Sequence, residues 1–178
     1  MSETIRNVFA VLRGNLVCGI NRLCGRCDYE NFIRVFKGAE IRINKGGKLT
    51  LGKGAAIGER CLCTVRTGAE VKIGSMSNLN SDCKIVSHER IEIGHNTIFG
   101  PNVLIYDHDH VYDPETGVRR KEYKASEIVI GNNCWIGAGS IILRGTHIGD
   151  NCLVGAGSIV KGDYPAGTKV IQKRGEVQ

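Results

Sequence analysis

The sequence predicts an all-β solenoid: a parallel β-helix with an N-terminal helix and one long extruded loop. Three observations lead to this fold. An aliphatic residue recurs at every sixth position through most of the chain, glycine occurs 24 times in 178 residues, and one long polar segment interrupts the repeat. A period of six fits neither an α-helix nor an ordinary strand, so it indicates a short strand followed by a corner, repeated many times.

The repeat is most regular in the C-terminal half of the chain. Its hexads begin, without a slip, on Ile130, Ile136, Ile142, Ile148, Val154 and Val160. The fifth place of the first five hexads is always small, and holds Cys134, Ser140, Thr146, Cys152 and Ser158. We expect the aliphatic residues to point into a three-sided prism and the small residues to pack beside them where the sides meet.

The same count continues upstream and defines the predicted domain. Earlier hexads begin on Leu51, Ile57, Cys63, Ile73, Leu79, Ile85, Ile93, Phe99 and Ile105. The step from Ile85 to Ile93 is eight residues instead of six, so two residues are inserted there. We predict a β-helix domain over residues 33–165, with an extruded loop over 106–127 and a C-terminal tail over 166–178.

Residues 1–32 do not share the period of six. Their apolar residues recur at spacings of three and four, with arginines between them: Ile5, Val8, Phe9, Leu12, Leu16 and Ile20. This pattern predicts an amphipathic helix that caps the open end of the solenoid. The arginines make a peripheral contact with a membrane surface an alternative role for the helix.

Composition excludes some classes of function. The net charge is +6, but the basic residues look scattered and no basic helix is interleaved with aromatics, which argues against nucleic-acid binding. We find no apolar run of the ~20 residues that a membrane span needs and no signal-peptide pattern. The eight cysteines are therefore interpreted as reduced thiols of a cytoplasmic protein, with the inner face of the membrane as its alternative location. Cys18, Cys24 and Cys27 include a CxxC pair, which we interpret as structural because nothing nearby completes a zinc set.

The interruption of the repeat is the candidate site. Its root contains Asp107, His108, Asp109 and His110, and a histidine can act as a general base near neutral pH. A hydrated polar loop without chemistry is the simpler interpretation. A metal site is a further alternative in which His88 joins the pair, since catalytic zinc needs about three protein ligands.

These residues resemble a known family. The run IGNNCWIGAGSIILRGTHIGDNCLVGAGSIV, preceded by IGHNTIFGPNVLIYDHDH, resembles the hexapeptide-repeat O-acetyltransferases over roughly residues 41–165. The resemblance is strongest to the branch that contains maltose, galactoside and cell-envelope polysaccharide acetyltransferases. It implies a left-handed parallel β-helix, a homotrimer with active sites between subunits, and acetyl-CoA as co-substrate without a bound cofactor or metal.

The resemblance also implies roles for particular residues. The catalytic histidine of the family corresponds to His110, and its acceptor-contacting asparagine corresponds to Asn80. We place His88, Asp107, His108 and Tyr123 beside the acceptor, with Asp107 or Asp109 orienting the imidazole. The residues expected along CoA are Trp135, Ala138, Gly155, Ala156, Lys161, Lys173 and Arg174.

The sequence departs from the family at several of these positions. Ala138 stands where some sugar acetyltransferases carry a serine, His88 replaces a carboxylate, and Lys161 comes one place early. These differences argue against a maltose-type acceptor and favour a sugar or cell-envelope glycan hydroxyl. The alternatives are N-acetylation of an amino sugar or sugar nucleotide, a metal-dependent hydratase similar to the γ-carbonic anhydrases, and a repeat scaffold without activity.

Overall fold

The computed structural model describes residues 2–172, which form one helix, a three-sided solenoid of parallel strands and a two-stranded arm. The fold is the left-handed parallel β-helix that the resemblance implies, so the predicted fold class is confirmed. Each coil contributes one short strand to each side of the prism, and strands of successive coils pair in parallel. Lys173 and Arg174, expected along CoA, lie outside the described residues.

The strands are distributed over three sides. The first side has seven strands: β1 (Cys27–Tyr29), β4 (Lys48–Leu51), β7 (Glu70–Ile73), β10 (Arg90–Ile93), β15 (Ile128–Ile130), β18 (His147–Ile148) and β21 (Asp163–Tyr164). The second side has seven: β2 (Arg34–Val35), β5 (Ala56–Ile57), β8 (Asn78–Leu79), β11 (Ile98–Phe99), β16 (Trp135–Ile136), β19 (Leu153–Val154) and β22 (Lys169–Val170). The third side has six: β3 (Glu40–Ile43), β6 (Leu62–Val65), β9 (Lys84–Ser87), β12 (Leu104–Tyr106), β17 (Ile141–Leu143) and β20 (Ile159–Val160).

The register of the strands stacks the hexad residues on one another. Ile105 pairs with Ile85 on one neighbouring strand and with Ile142 on the other, and all three side chains are buried. The small fifth-place residues are buried at the corners, where Ser140 Oγ donates to the Gly155 carbonyl of the next coil at 3.1 Å. The predicted division into aliphatic interior and small corner residues is thus confirmed. Burial of the aliphatic column is the main stabilising term, at about 25 cal/mol per Å² of apolar surface.

The solenoid extends beyond its predicted boundaries at both ends. The strand β1 lies inside the segment 1–32, yet it pairs with β4 in the first side. The strand β22 lies inside the predicted tail 166–178 and pairs with β19. Both ends lack the hexad signature because a terminal coil pairs with only one other coil, which relaxes the demand for an aliphatic residue at every sixth place.

The N-terminal helix α1 (Glu3–Leu23) begins at Ser2, whose hydroxyl accepts from the backbone N–H of Ile5. It packs on the first coil, but with the opposite face from the one expected. Its buried residues are the small Ala10, Gly14 and Cys18, whereas the large apolar residues of the predicted stripe are exposed. A Cβ at Gly14 would lie 2.7 Å from the Ile33 carbonyl oxygen, so only small residues allow the helix to approach this closely.

The predicted loop 106–127 is largely an ordered arm. Its strands β13 (His108–Asp113) and β14 (Gly117–Ala125) pair antiparallel, with a shift of register between His110 and Val111. The arm leaves the prism after β12 and returns at β15. Pairing between β13 and β14 satisfies the backbone hydrogen-bonding groups of the arm without the solenoid. This explains how so polar a segment forms regular strands.

All eight cysteines are free thiols and seven of them are buried. Burial raises the pKa of Cys63 to about 12, and a hydrogen bond with Cys27, together with burial, raises the pKa of Cys18 further. A thiol with a raised pKa is a poor nucleophile and a poor metal ligand. The structural interpretation therefore fits the surroundings of Cys18, whereas the same hydrogen bond lowers the pKa of Cys27, a thiol that is buried beside it.

Candidate active site

The prism has an edge where its third side meets its first, and the arm leaves from this edge. We call it the histidine edge, comprising residues 87–89 and 107–110. Asp107 lies at its centre with a fully buried side chain. Its carboxylate accepts from Ser87 Oγ at 2.7 Å and from the backbone N–H groups of His88 and Glu89 at 2.7 and 2.9 Å. Asp107 therefore fixes the corner that carries His88, and its burial contradicts the predicted direct contact with an acceptor.

Four aromatic rings gather at the histidine edge. The rings of His88 and His108 stack with centroids 3.9 Å apart, and Tyr123 from β14 lies 4.2 Å from His88. His110 also packs against Tyr123, at 4.7 Å between centroids. The arm thus brings together four of the residues that the sequence placed near the acceptor.

The histidines differ in exposure and in their partners. The His108 side chain is only 14% exposed, and its Nδ1 lies 3.3 Å from the Asp107 carboxylate. His110 is exposed, and the one ring contact found for it is with Tyr123. Asp109 forms an ion pair with Arg144. Neither aspartate therefore orients His110 in the described chain, and the buried carboxylate orients His108 instead.

The charge state of His88 follows from its position. Burial lowers its pKa from the usual value, the neighbouring His108 lowers it further, and Asp107 opposes both. Because the ordinary pKa of histidine is ~6.5, His88 is neutral at neutral pH. It therefore presents an uncharged ring beside His108.

The second candidate surface is the edge where the second side meets the third. We call it the glycine edge, comprising the corners at 80–83, 100–103, 137–140 and 155–158. Its corners stack closely: a Cβ at Gly137 would lie 2.4 Å from the backbone N of Ala156. The N–H of Gly157 donates to the Ala138 carbonyl at 2.8 Å, which fixes the spacing of the coils. The structure places Asn80, Ala138, Gly155 and Ala156 at this edge, and the exposed Trp135 lies on the adjoining second side.

A cavity of about 340 Å³ adjoins Asn80 at the glycine edge. Its wall is largely polar, and includes Arg6, Glu59, Asn78, Asn80 and Ser81. Such a volume lies at the lower end of the range for small-molecule sites. Amides, a hydroxyl and a paired Arg–Glu are groups that bind sugar hydroxyls through hydrogen bonds.

The two edges lie on opposite margins of the third side. Asn80 precedes the strand β9 and His88 follows it, so the strand separates them within one chain. Lys161 follows β20 and so lies at the same edge of the prism as the histidines, away from Trp135 and Ala138. One chain therefore does not bring the predicted CoA residues to the predicted base.

The metal alternative requires a different geometry from the one observed. His88 does come close to His108, but the two rings stack at 33° between planes rather than converging on a point. Within residues 2–172, no group of three or more His, Cys, Asp or Glu side chains is arranged to hold a metal ion.

Comparisons with known proteins agree with the fold. The family described as bacterial transferase hexapeptide (six repeats) matches residues 127–162. Nodulation protein L of Rhizobium meliloti (strain 1021) is 42% identical over 129 residues, which cover 72% of this chain and 68% of that protein. The chain belongs to the hexapeptide-repeat family of acetyltransferases.

Two further relatives extend this comparison. The galactoside O-acetyltransferase of Lactococcus lactis subsp. lactis (strain IL1403) is 37% identical, and the match spans 60% of this chain and 54% of that enzyme. A mutant of AntD, an N-acyltransferase from Bacillus cereus, has the same fold with a TM-score of 0.66 at 23% identity, covering 82% of this chain and 79% of AntD. Membership of the hexapeptide-repeat acetyltransferase family makes this chain an enzyme of the acyltransferase class.

Sequence reasoning missed two residues that hold the histidine edge in place. Ser87 supports the Asp107 carboxylate, and Arg144 holds Asp109. A signal for the first was present, because the corner at Ser87 contains the inserted residues between Ile85 and Ile93. No comparable signal marks Arg144, whose contact depends on how the arm folds back on the next coil.

Proposed function

We propose that this enzyme transfers an acetyl group from acetyl-CoA to a hydroxyl of a sugar or cell-envelope glycan. The histidine edge is the observation that supports the proposal. The exposed imidazole of His110 lies there beside His108, which contacts the buried carboxylate of Asp107. The polar cavity beside Asn80 supports a sugar as acceptor. The relatives support both substrates: one is a galactoside O-acetyltransferase, and the AntD structure contains Coenzyme A.

His110 is the proposed general base. Its exposed ring can reach a substrate, whereas the ring of His108 is enclosed by His88 and Asp107. His110 accepts the proton of the acceptor hydroxyl while the hydroxyl oxygen attacks the thioester carbonyl. A backbone N–H near Ala138 donates to the developing oxyanion, a contact commonly worth ~3 kcal/mol. The tetrahedral intermediate collapses, the C–S bond breaks, and the proton passes from His110 to the CoA sulfur.

This mechanism requires a neighbouring subunit, since the glycine edge and the histidine edge lie apart in one chain. A cyclic homotrimer would set the glycine edge of one subunit against the histidine edge of the next, with acetyl-CoA between them. Light scattering should give three times the chain mass of 19.4 kDa. A monomer at micromolar concentration would refute a shared site.

The experiment that tests the function measures release of CoA thiol from acetyl-CoA against a panel of sugars, nucleotide sugars and envelope glycans. His110→Ala should lower kcat by about 10²–10⁴ and leave the trimer and its melting temperature intact. His108→Ala should cost less. His95→Ala is the matched control, because His95 is exposed at the corner between the first and second sides. Full activity in His110→Ala would refute its role as base.

A second candidate function is transfer to an amine. The AntD structure that shares this fold contains dTDP-4-amino-4,6-dideoxyglucose, which carries an amino group. The same panel separates the two reactions, because the ester product of O-acetylation is cleaved by mild hydroxylamine and the amide product is not.

A cytoplasmic location belongs to the same proposal, since free thiols suit a reducing compartment.

A further inference from the structure

The outward face of α1 is an unpartnered apolar stripe. Small residues form the side of α1 that faces the first coil, so the large ones point away from the protein. Leu12 and Leu16 are 59% and 65% exposed, and the remaining members are similarly open: Ile5, Val8, Phe9, Ile20 and Leu23. We call these seven residues the outer stripe. Phe32 on the first coil is also exposed.

The outer stripe is continuous rather than scattered. Its members recur at spacings of three and four residues, so they share one helix face along nearly the whole of α1. At 1.5 Å per residue the stripe is roughly 30 Å long. Single exposed apolar residues are ordinary on a protein surface, but a contiguous patch of this extent marks an interaction surface.

Charge is concentrated at the same end of the molecule. Residues 1–60 contain eleven Lys and Arg against five Asp and Glu, a difference of +6 that equals the net charge of the whole chain. Residues 61–178 contain thirteen of each sign. The basic residues are spread along the whole chain, as the composition suggested, but their excess over acidic residues belongs to the helix and the first two coils.

The arginines of α1 flank the outer stripe without entering it. The guanidinium groups of Arg6 and Arg22 lie over the rings of Phe36 and Tyr29, at 5.5 and 5.4 Å. Arg13 donates to the Val35 carbonyl at 3.2 Å. These three contacts are with the first coil, and Arg6 also pairs with Glu59 of the second coil at 3.9 Å, so the guanidinium groups border the apolar face without lying on it. This arrangement is typical of helices that lie in a membrane interface.

We propose that the outer stripe docks α1 flat on an anionic lipid surface. No helix among the described residues is both long and apolar enough to cross a membrane. The apolar stripe would enter the boundary between headgroups and acyl chains, while the basic end faces the anionic headgroups. A second copy docked through the same stripe would bring two ends of charge +6 together, so charge complementarity favours lipid as the occupant.

Vesicle sedimentation of the 178-residue chain tests the proposal. Vesicles of phosphatidylcholine alone are compared with vesicles of equal parts phosphatidylcholine and phosphatidylglycerol. We expect strong binding to the anionic vesicles, weak binding to the neutral ones, and a loss of binding as salt is raised. Leu12→Gln/Leu16→Gln should lower the partition coefficient roughly 10- to 100-fold, because two apolar side chains no longer enter the interface.

Two matched variants separate the stripe from general surface effects. Val118→Gln/Ile171→Gln removes two exposed apolar residues elsewhere and should leave vesicle binding unchanged. Lys45→Glu/Lys48→Glu at the basic end should weaken binding by about 10-fold or more, whereas Lys121→Glu/Lys124→Glu on the arm should have a smaller effect.

Three results would overturn the proposal. The first is no sedimentation with anionic vesicles at low salt. The second is equal binding by the wild type and Leu12→Gln/Leu16→Gln. The third is an oligomer whose mass is twice as large for the wild type as for Leu12→Gln/Leu16→Gln. That result would show that the stripe makes contacts between copies of the chain. Circular dichroism checks that the variant retains α1. We expect the helix to be retained because Leu12 and Leu16 are exposed and do not pack on the first coil.

Discussion

Replacement of the buried Asp107 by asparagine should destabilise the protein strongly. Each carboxylate oxygen accepts one backbone N–H, from His88 on Oδ1 and from Glu89 on Oδ2. An asparagine must place its NH₂ group against one of these donors whichever way the amide is turned. The Ser87 hydroxyl and the His108 ring also contact the same carboxylate.

The expected cost follows from these contacts. A hydrogen bond to a charged group contributes about 1.5–3 kcal/mol, and a buried donor left without an acceptor costs a further 1–3 kcal/mol or so. We therefore expect Asp107→Asn to lower the free energy of unfolding by about 3–5 kcal/mol. For a chain of this length that corresponds to a fall in Tm of roughly 10 °C.

The measurement is guanidinium unfolding at fixed protein concentration, since assembly makes stability depend on concentration. Asp109→Asn is the matched control from the same four-residue segment. Its side chain is 49% exposed and paired with Arg144, so its loss should cost no more than about 1 kcal/mol. Equal stability of the two variants would show that the buried hydrogen bonds of Asp107 do not hold the corner together.

Three further predictions address the helix, the histidine edge and the donor. Gly14→Ala should destabilise the protein, because its Cβ would lie 2.7 Å from the Ile33 carbonyl oxygen. Gly19→Ala has room for a Cβ and should stabilise α1 by up to about 1 kcal/mol. Thermal melts of the two variants measure both effects. The pKa of His88 is lowered in the folded state, so on acidification this histidine is protonated first in the unfolded chain. The free energy of unfolding should therefore fall as the pH drops below about 6.5. A pH series of unfolding curves should show a smaller fall for His88→Gln. Trp135→Ala should raise KM for acetyl-CoA by roughly 10-fold with little change in Tm, because the ring is 55% exposed; an unchanged KM would remove Trp135 from the donor channel.

Much of the fold could be predicted because the period of six is visible in short stretches of sequence, and its repetition sets the architecture of the whole domain. Each hexad that begins on residues such as Ile130 or Ile142 demands one inward position and one corner, and stacking then follows from the need to bury the column. The candidate residues at the histidine edge were also visible, because a break in a regular repeat is conspicuous. The inserted residues after Ile85 marked the corner on which Asp107 acts.

The sequence by itself determined the solenoid, its aliphatic interior, the position of the arm and the set of chemical groups at its root. The tertiary structure decided which of these groups meet: Asp107 turns inward to hold a corner and His108, while His110 stays exposed. It also decided which face of α1 is buried, since periodicity identifies an apolar stripe but not its partner. The close fit of Gly14 against Ile33 selects the small-residue face, and the larger apolar residues are left outside because the first coil has no space for them.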